Sequence, residues 1–378
     1  MKLLHLSDLH LGKRLNEFPM LEDQEYILRE ILEIVDREQP DAVLIAGDVY
    51  DKSIPPAEAV TLFDRFLNEL AGRALSVLVI SGNHDSAERL SFASSLLEKS
   101  RVYISPAYRG EVKPVTLEDK FGKVDVYLLP FVKPVHVRAC FPDEEIDSYT
   151  DAVDCAIRHM KIDPARRNVL VTHQFVTGGQ RCESEDVSVG GSDNVDVRVF
   201  APFDYVALGH LHGPQNLDGE RVRYCGTPLK YSFSEVKHEK SVTVAELGAK
   251  SELNVRTIPL TPKRDLLDLR GIYDQLAARE FYQGIDQNAY VRVTLTDEND
   301  VPDAMGKLRV IYPNLMALGY DNARTRGGGE IAQAEAAVRL SPMELFAAFY
   351  EQQNGNPLSE EQTEFLAGLV EEIWEVQA

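Results

Sequence analysis

Cysteine is scarce in this chain of 378 residues. The four cysteines, at positions 140, 155, 182 and 225, are irregularly spaced and form no C-x-x-C pair. A chain of this length buries a large core and does not depend on disulfides for its stability. The scarcity argues against a disulfide-rich secreted domain and against a structural zinc module built on thiolates. We therefore expect four reduced thiols with structural roles.

Long apolar runs are also lacking. No uninterrupted stretch approaches the roughly 18 to 20 residues that would span a bilayer. His5, Ser7 and Asp8 break the first apolar run too early for a signal peptide. We expect a soluble, untargeted protein of the cytoplasm.

Basic residues are outnumbered, with 40 Lys and Arg against 61 Asp and Glu and a net charge of -21. Nonspecific affinity for nucleic acid comes from Lys and Arg, so net charge alone argues against DNA as a ligand. Bound divalent cations would reverse the sign locally, and much of the acid lies in residues 331–378, which carry nine acids against Arg339. A partner that supplies the DNA-binding surface would reconcile the acidic net charge with DNA as a ligand.

Five short fragments supply residues of the type that bind metals. Each follows a short apolar run that predicts a buried strand, at residues 3–6, 42–46, 77–80, 169–171 and 205–208. Ligands bind at the carboxyl ends of strands in α/β sheets, so residues far apart in sequence meet at one crevice. The fragments are Asp8-Leu9-His10, Gly47-Asp48, Gly82-Asn83-His84-Asp85, Thr172-His173 and Gly209-His210-Leu211-His212.

The five fragments together suit a pair of metal ions. A two-metal hydrolase holds its cations about 3.5 to 4 Å apart, and a bridging carboxylate does this best. Asp48 is the natural bridge. Asp8, His10 and one histidine of residues 209–212 can complete one shell, while Asn83, His173 and the other histidine complete the second. The absence of sulfur favours a hard or borderline ion such as manganese or iron.

His84 and Asp85 have other interpretations. An imidazole beside the metal pair is suited to protonate a departing alkoxide, so we assign His84 as general acid. Asp85 either orients His84 or pairs with a basic group such as Arg89, and we favour a structural role. A single Asp-x-His pair arises by chance, but five fragments in this order are not expected to. His5, His136, His159 and His238 lack such a context, and we interpret them as structural.

The remaining sequence predicts the domain plan. Strand and helix alternate over residues 1–100, with helices at 25–36 and 57–70, and this favours a layered α/β domain. The polar loop at 177–196 is long enough to be functional or disordered. Strands at 242–247 and 253–258 precede a boundary near 259–264.

A β-α-β unit follows at 289–296, 301–311 and 315–320, and a glycine run at 327–329 ends it. Capping-box patterns at Ser341 and Ser359 start two amphipathic helices, which either pack on the chain itself or dock to a partner.

The ordered fragments resemble the signature of the calcineurin-like metallophosphoesterase superfamily. Within it the chain is similar to the bacterial SbcD family of nuclease subunits, relatives of the double-strand-break repair nucleases. The narrower similarity is carried by residues 6–12, 46–51, 188–191 and 225–235, and by the tail from 341 to 372. The resemblance covers nearly the whole chain.

The resemblance implies a layered β-sandwich flanked by helices in an α/β nuclease domain, residues 1–262. It also implies a small α+β capping domain, residues 263–330, and a C-terminal helical segment, residues 331–378, that binds the coiled-coil ATPase SbcC through 341–378. Asp8, His10, Asp48 and His212 would hold one Mn²⁺, and Asp48, Asn83, His173 and His210 the other, with Mg²⁺ or Fe²⁺ as substitutes. His84 falls on the family's proton donor. Some relatives place a histidine where this chain has Asp51, which leaves that transition-state role open.

We therefore expect a manganese-dependent DNA nuclease subunit with exonuclease (3'-5') and endonuclease activity, acting in DNA end processing in the nucleoid. A homodimer within a heterotetramer is expected, with residues 62–70 as one candidate surface, although core packing explains most of them. The alternatives are a small-molecule phosphodiesterase or phosphoprotein phosphatase with the same site, and a noncatalytic adaptor. The capping unit and tail argue against the former, and the complete ligand set against the latter.

Overall fold

The computed structural model describes residues 1–185 and 194–322, together with isolated positions at 325, 346–347, 350, 358–359, 362–363 and 365–366. The chain divides into two compact units. The first comprises residues 1–269, 277–293 and 305–318, and the second comprises residues 270–276, 294–304 and 319–378. Among the described residues, no helix is both long enough and apolar enough to cross a membrane. All four cysteines are free.

The strands and helices alternate along much of the described chain. The strands are β1 (Lys2–Leu6), β2 (Arg14–Leu15), β3 (Phe18–Pro19), β4 (Ala42–Ala46), β5 (Ser76–Ile80), β6 (Val102–Ile104), β7 (Pro114–Asp119), β8 (Gly122–Leu129), β9 (Arg167–His173), β10 (Tyr205–Gly209), β11 (Gln215–Asp218), β12 (Val222–Tyr224), β13 (Ser241–Leu247), β14 (Leu253–Pro259), β15 (Leu266–Gly271), β16 (Tyr290–Leu295) and β17 (Leu315–Tyr320). The helices are α1 (Leu21–Glu38), α2 (Ala57–Ala71), α3 (Ala87–Leu90), α4 (Ser94–Leu97), α5 (Pro134–Arg138), α6 (Tyr149–Arg158), α7 (Tyr273–Leu276), α8 (Arg279–Tyr282) and α9 (Ala304–Ile311).

Two six-stranded sheets form the centre of the first unit. Their strand orders are β14-β13-β1-β4-β5-β6 and β11-β12-β10-β9-β8-β7. In the first sheet β1, β4, β5 and β6 run parallel, and in the second β8, β9, β10 and β12 do. Leu44 and Ile80 of one sheet share a buried cluster with Val126 and Val171 of the other. The sheets therefore pack face to face, as the predicted β-sandwich requires.

Helices cover the outer face of each sheet. Residues of α1 and α2 share one core with β1, β4 and β5, and residues of α6 share another with β9 and β10. The apolar face of α2 that was a candidate dimer surface is largely internal, because Leu62, Phe63, Phe66 and Leu70 are buried in this core. Helix α6 begins with a capping box between Ser148 and Asp151.

The strand predictions at the site are confirmed with small shifts. Residues 42–46 and 205–208 lie in β4 and β10, and the two predicted helices correspond to α1 and α2. His173 differs slightly, because it is the last residue of β9 and does not follow the strand. The predicted β-α-β unit has one more strand than the sequence indicates, because β15 joins β16 and β17 in a three-stranded sheet. Charged residues at 264, 265, 268 and 270 interrupt the apolar pattern around this strand.

The capping box predicted at Ser359, in the second unit, is confirmed. The backbone N–H of Ser359 donates to Gln362 Oε1 at 2.9 Å, and the Gln362 N–H donates to Ser359 Oγ at 3.2 Å. This is the capping box that the sequence predicts. The motif at 188–191, the glycine run at 327–329 and the helix start at Ser341 lie outside the described residues. The three-domain division at 262 and 330 stays a prediction.

Candidate metal centre

The five fragments converge at the carboxyl ends of the parallel strands. Residues 8–11 leave β1 beside the turn that follows β4: the Asp8 N–H donates to the Gly47 carbonyl and the His10 N–H to the Asp48 carbonyl, both at 3.0 Å. The Gly82–Asp85 fragment follows β5, and β9 and β10 bring His173 and the Gly209–His212 fragment from the second sheet. The centre is thus built from both sheets.

Four residues of the centre have positive φ. The angles are 53° at Asp8, 45° at His10, 48° at Asp48 and 109° at His210. Side-chain-bearing residues rarely adopt such angles, and each costs on the order of 1 to 3 kcal/mol. The hydrogen bonds between the turns hold these conformations, so the fold maintains a strained backbone where it places the ligand-type side chains.

Two glycines allow the backbones to approach the centre closely. A Cβ atom at Gly82 would overlap the Asp48 carboxylate, and one at Gly209 would overlap the Ala46 carbonyl oxygen. No larger residue fits at position 82 or 209, immediately before Asn83 and His210.

One group of donor atoms contains Asp8, His10 and His212. All three side chains are buried, and their ligand atoms lie within 4.8 Å of one another. The Nε2 atoms of His10 and His212 are 3.2 Å apart. The Asp8 carboxylate also accepts the backbone N–H of His210 at 3.1 Å, which links this group to the next.

The second group contains Asp48, Asn83, His173 and His210. Asn83 Oδ1 lies 2.9 Å from His173 Nε2 and 3.0 Å from His210 Nδ1. The two histidines of the Gly209–His212 fragment therefore face different groups, as the alternation along that turn predicts. Asp48 lies between the groups, with Oδ2 at 3.3 Å from His173 Nε2 and 3.7 Å from His10 Nε2.

The donor set fits a divalent cation. His173 Nδ1 donates to the Ala46 carbonyl at 2.8 Å, so in a neutral ring the Nε2 lone pair faces the Asn83 and Asp48 oxygens. Three acceptor atoms then converge, and a proton or a metal ion must lie between them. His210 Nε2 is buried with no hydrogen-bond partner. Nitrogen and oxygen donors of this kind suit manganese, iron or magnesium.

The pKa values of the residues in the centre also favour a bound cation. Burial alone would lower the pKa of His173, but the Asp48 and Asp8 carboxylates raise it to about 9. Burial raises the pKa of Asp8 to about 7. Burial also opposes the charge of Asp48, yet the nearby His173, His10 and His84 hold its pKa well below its usual range. A bound cation would supply the positive charge that a protonated His173 otherwise provides.

His84 and Asp85 have distinct contacts. The His84 Nδ1 donates to the Asp51 carbonyl at 3.1 Å, and Nε2 lies 3.9 Å from Asp48 Oδ2. The Asp85 carboxylate accepts backbone N–H groups of Gly82, Val49 and Tyr50 at 2.9 to 3.1 Å. It therefore fastens the turn after β5 to the turn after β4. This role is structural, as we predict, but the partners are backbone N–H groups and not a basic side chain such as Arg89.

Asp51 and several more distant residues complete the surroundings. Asp51 forms an ion pair with Lys13 at 2.7 Å and lies 3.6 Å from His10 Nδ1.

Three residues that contact His212 are not predicted from the sequence. They are Ser184, Glu185 and Glu235. Glu235 ends the motif at 225–235, whose likeness to the family was the one available signal.

The structure brings all eight predicted site residues together, whereas their roles as ligands or acid stay predictions. The eight are Asp8, His10, Asp48, Asn83, His84, His173, His210 and His212. His5, which was excluded, lies apart with Nδ1 on the Tyr205 hydroxyl at 2.9 Å and Nε2 on the Leu208 carbonyl at 3.1 Å.

Comparison with known proteins places the chain in a family. The calcineurin-like phosphoesterase family model matches residues 1–214, and a model described as the type 5 capsule protein repressor C-terminal domain matches residues 262–354. A dimetal phosphatase from Danio rerio aligns with 69% of this chain and 98% of its own at 12% identity, with a TM-score of 0.40.

Two curated relatives are similar over most of their length, and the name of each is that of the SbcD component of the SbcCD nuclease. The protein from Staphylococcus epidermidis is 33% identical over 377 residues, 98% of each chain. The protein from Staphylococcus saprophyticus is 38% identical over 322 residues, 84% of each chain. The chain belongs to the calcineurin-like phosphoesterases and, within them, to the SbcD family of nuclease subunits.

Proposed function

We propose that this protein is the nuclease subunit of a DNA-processing complex and hydrolyses phosphodiesters with two divalent cations, Mn²⁺ by preference. The observation that carries the proposal is the position of Asp48. Its carboxylate lies between a group formed by Asp8, His10 and His212 and a group that includes His173. A bridging carboxylate between two sets of donors is what a two-metal phosphodiesterase requires.

The proposed ligand sets follow this division. Asp8, His10, Asp48 and His212 would hold one Mn²⁺, and Asp48, Asn83, His173 and His210 the other, with Mg²⁺ or Fe²⁺ as substitutes. When bound, the cations would lower the pKa of water and neutralise charge on the phosphate. Hydrogen bonds within the protein orient the donors, because His173 Nδ1 donates to the Ala46 carbonyl and the His210 N–H donates to the Asp8 carboxylate.

His84 is the proposed general acid. Its Nδ1–H donates to the Asp51 carbonyl, and its Nε2 lies 3.9 Å from Asp48 Oδ2, so Nε2 is the atom that would pass a proton to the leaving oxygen. The side chain is 20% exposed, whereas His10 and His173 are buried. A substrate can therefore reach His84, and the backbone bond to Asp48 keeps it next to the proposed metal bridge.

DNA is the proposed substrate, and an SbcC-type coiled-coil ATPase is the proposed partner. The support is the name of the two relatives, which are components of an SbcCD nuclease. With a net charge of -21, the chain needs a partner to supply much of the DNA-binding surface. We also propose a homodimer within a heterotetramer in the cytoplasm, acting at the nucleoid in the repair and recombination of DNA ends.

A substrate comparison tests the proposal. The full chain, loaded with Mn²⁺, is offered linear duplex DNA, hairpin DNA, a cyclic nucleotide and a phosphopeptide, with and without the ATPase partner. We expect cleavage of the DNA substrates, from the 3' end on duplex ends. Turnover of the cyclic nucleotide or the phosphopeptide with DNA left intact would instead identify a small-molecule phosphodiesterase or a phosphatase with the same centre.

A further inference from the structure

A polar cluster, buried except for a partly exposed serine, lies directly behind His212, on the side away from His10. It consists of Ser184, Glu185, Glu235 and Lys240. Ser184 Oγ lies 2.6 Å from His212 Nδ1 and 2.7 Å from Glu235 Oε1. Glu185 Oε1 accepts the backbone N–H of His212 at 2.6 Å. The histidine is therefore contacted through both its ring and its backbone.

The hydrogen positions in this chain of contacts follow from the partners of Glu235. Its Oε2 accepts from Lys240 Nζ at 2.5 Å, and its Oε1 accepts from the Tyr231 N–H at 3.2 Å. An ion pair with a buried lysine keeps this carboxylate charged, so it only accepts. The one hydroxyl hydrogen of Ser184 must then point to Glu235.

The Ser184 oxygen consequently faces His212 Nδ1 as an acceptor. The ring must carry its hydrogen on Nδ1, because a bare Nδ1 would place two acceptors 2.6 Å apart. In the neutral ring the lone pair is then on Nε2, and Nε2 is the atom that lies 3.2 Å from His10 Nε2.

The backbone carbonyl of His212 is also held by hydrogen bonds. Its carbonyl accepts from Lys240 Nζ at 2.8 Å and from the Thr227 N–H at 3.1 Å. Lys240 thus donates both to the Glu235 carboxylate and to the His212 carbonyl. The cluster is built from residues 182–185 on one side and residues 227–240 on the other.

We propose that Ser184 and Glu235 are positioning residues that set the tautomer and ring direction of His212, and that the segment 182–185 is thereby part of the metal centre. Metal-ligating histidines commonly donate their second N–H to a carboxylate or carbonyl. Here a serine hydroxyl is inserted between the imidazole and the carboxylate. The inference rests on the proposed function, since it takes His212 to be a ligand.

Manganese titration of the full chain tests the inference. Ser184→Ala removes the bridging hydroxyl, and we expect one of the two Mn²⁺ affinities to fall by about 10- to 100-fold while the other is kept. At Mn²⁺ concentrations that fill both sites of the wild type, the variant should give the six-line EPR spectrum of isolated ions instead of a coupled pair. Ser184→Thr keeps a hydroxyl and should restore the coupled spectrum.

Ser232→Ala is the matched control. Ser232 Oγ also lies on Glu235 Oε1, at 3.0 Å, so this change removes a serine bond from the same oxygen and leaves the bridge to His212. It should bind both ions as the wild type does. Equal Mn²⁺ affinities in Ser184→Ala and the wild type would overturn the inference, as would equal losses in Ser184→Ala and Ser232→Ala.

A second measurement needs no metal. In the apoprotein with ¹⁵N-labelled histidine, the His212 ring should show the Nδ1–H tautomer, and Ser184→Ala should shift the ring toward a mixture of tautomers. An Nε2–H ring in the wild type would overturn the inference. Wild-type protein that binds two ions but leaves DNA intact would instead contradict only the proposed substrate, and failure to bind Mn²⁺ would contradict both proposals.

Discussion

The backbone N–H of His84 donates to Asp48 Oδ1 at 2.9 Å. This bond joins the proposed general acid to the proposed metal bridge through the main chain, and the imidazole takes no part in it. The ring is held separately, by the Asp51 carbonyl. The side chain of His84 can therefore be replaced while this backbone bond to Asp48 is kept.

Replacing the acid should separate metal binding from cleavage. We expect His84→Gln to retain both Mn²⁺ ions and to lose about 10²- to 10⁴-fold in DNA cleavage, because general acid catalysis contributes roughly that much. Calorimetry with Mn²⁺ and a single-turnover cleavage assay measure the two effects. His136→Gln, a change at an exposed histidine on α5, is the control. Undiminished cleavage by His84→Gln would refute the assignment.

Replacing the bridge should affect both ions at once. Because Asp48 lies between the two donor groups, Asp48→Asn should weaken both Mn²⁺ affinities by more than the roughly 100-fold seen when a supporting residue is lost. A Mn²⁺ titration followed by EPR gives the two affinities. Asp143→Asn, the same change at an exposed site, should alter neither. Loss of a single ion would show that Asp48 serves one site only.

The buried His5 should make the protein sensitive to acid. Burial is the main cause that lowers the pKa of His5 from 6.5 to about 3. Between these values the unfolded chain binds a proton and the folded chain does not, so stability falls as the pH drops from 6.5 toward 3. His5→Gln does not titrate. Urea unfolding at pH 7 and pH 5 should show the variant losing about 2 kcal/mol less than the wild type. Parallel losses would contradict this account.

Two neighbouring acids on α1 should differ in their effect on stability. Both pair with Arg264, but Asp23 is 0% exposed and Glu22 is 58% exposed. Asp23 Oδ2 accepts from Arg264 and from the Tyr290 hydroxyl, both at 2.7 Å. We expect Asp23→Ala to lower the free energy of unfolding by about 1.5 to 3 kcal/mol, the usual range for hydrogen bonds to a charged group.

Glu22→Ala is the matched control for Asp23→Ala, because solvent screens an exposed ion pair and removing it changes little. Urea unfolding monitored by circular dichroism compares both variants with the wild type. Equal effects of the two changes would show that burial of Asp23 adds nothing to its pairing with Arg264.

The tail should be required for partner binding and not for metal binding. Deleting residues 341–378 should abolish co-purification with an SbcC-type ATPase and leave Mn²⁺ affinity unchanged. Phe365 is 70% exposed, so Phe365→Asp should weaken the association at full chain length, because a charge on a docking surface is costly. Phe121→Asp, at a 49% exposed phenylalanine, is the control. Normal co-purification of the deletion variant would rule out this docking site.

The sequence predicted the strands at the site because short apolar runs ending in Asp, His or Gly have one simple interpretation. Residues 42–46 and 315–320 coincide with β4 and β17. The residues behind the site were not predictable in this way. Ser184 lies in a polar loop and Glu235 in a short turn, and only the fold brings the carboxylate of Glu235 to the Ser184 hydroxyl. Positive φ at Asp8 and Asp48 likewise has no signature in the residue types.

The pairing of β1 with β13 has a consequence for synthesis of the chain. Lys2 lies opposite Glu246 in this antiparallel pair, so β1 leaves the ribosome long before the strand it pairs with. Domains generally fold as units, and contacts between distant residues form slowly. Asp8 and His10 can therefore meet His212 only after the long segment between them has emerged. The donor group formed by Asp8, His10 and His212 is therefore completed only when more than half of the chain has been synthesised.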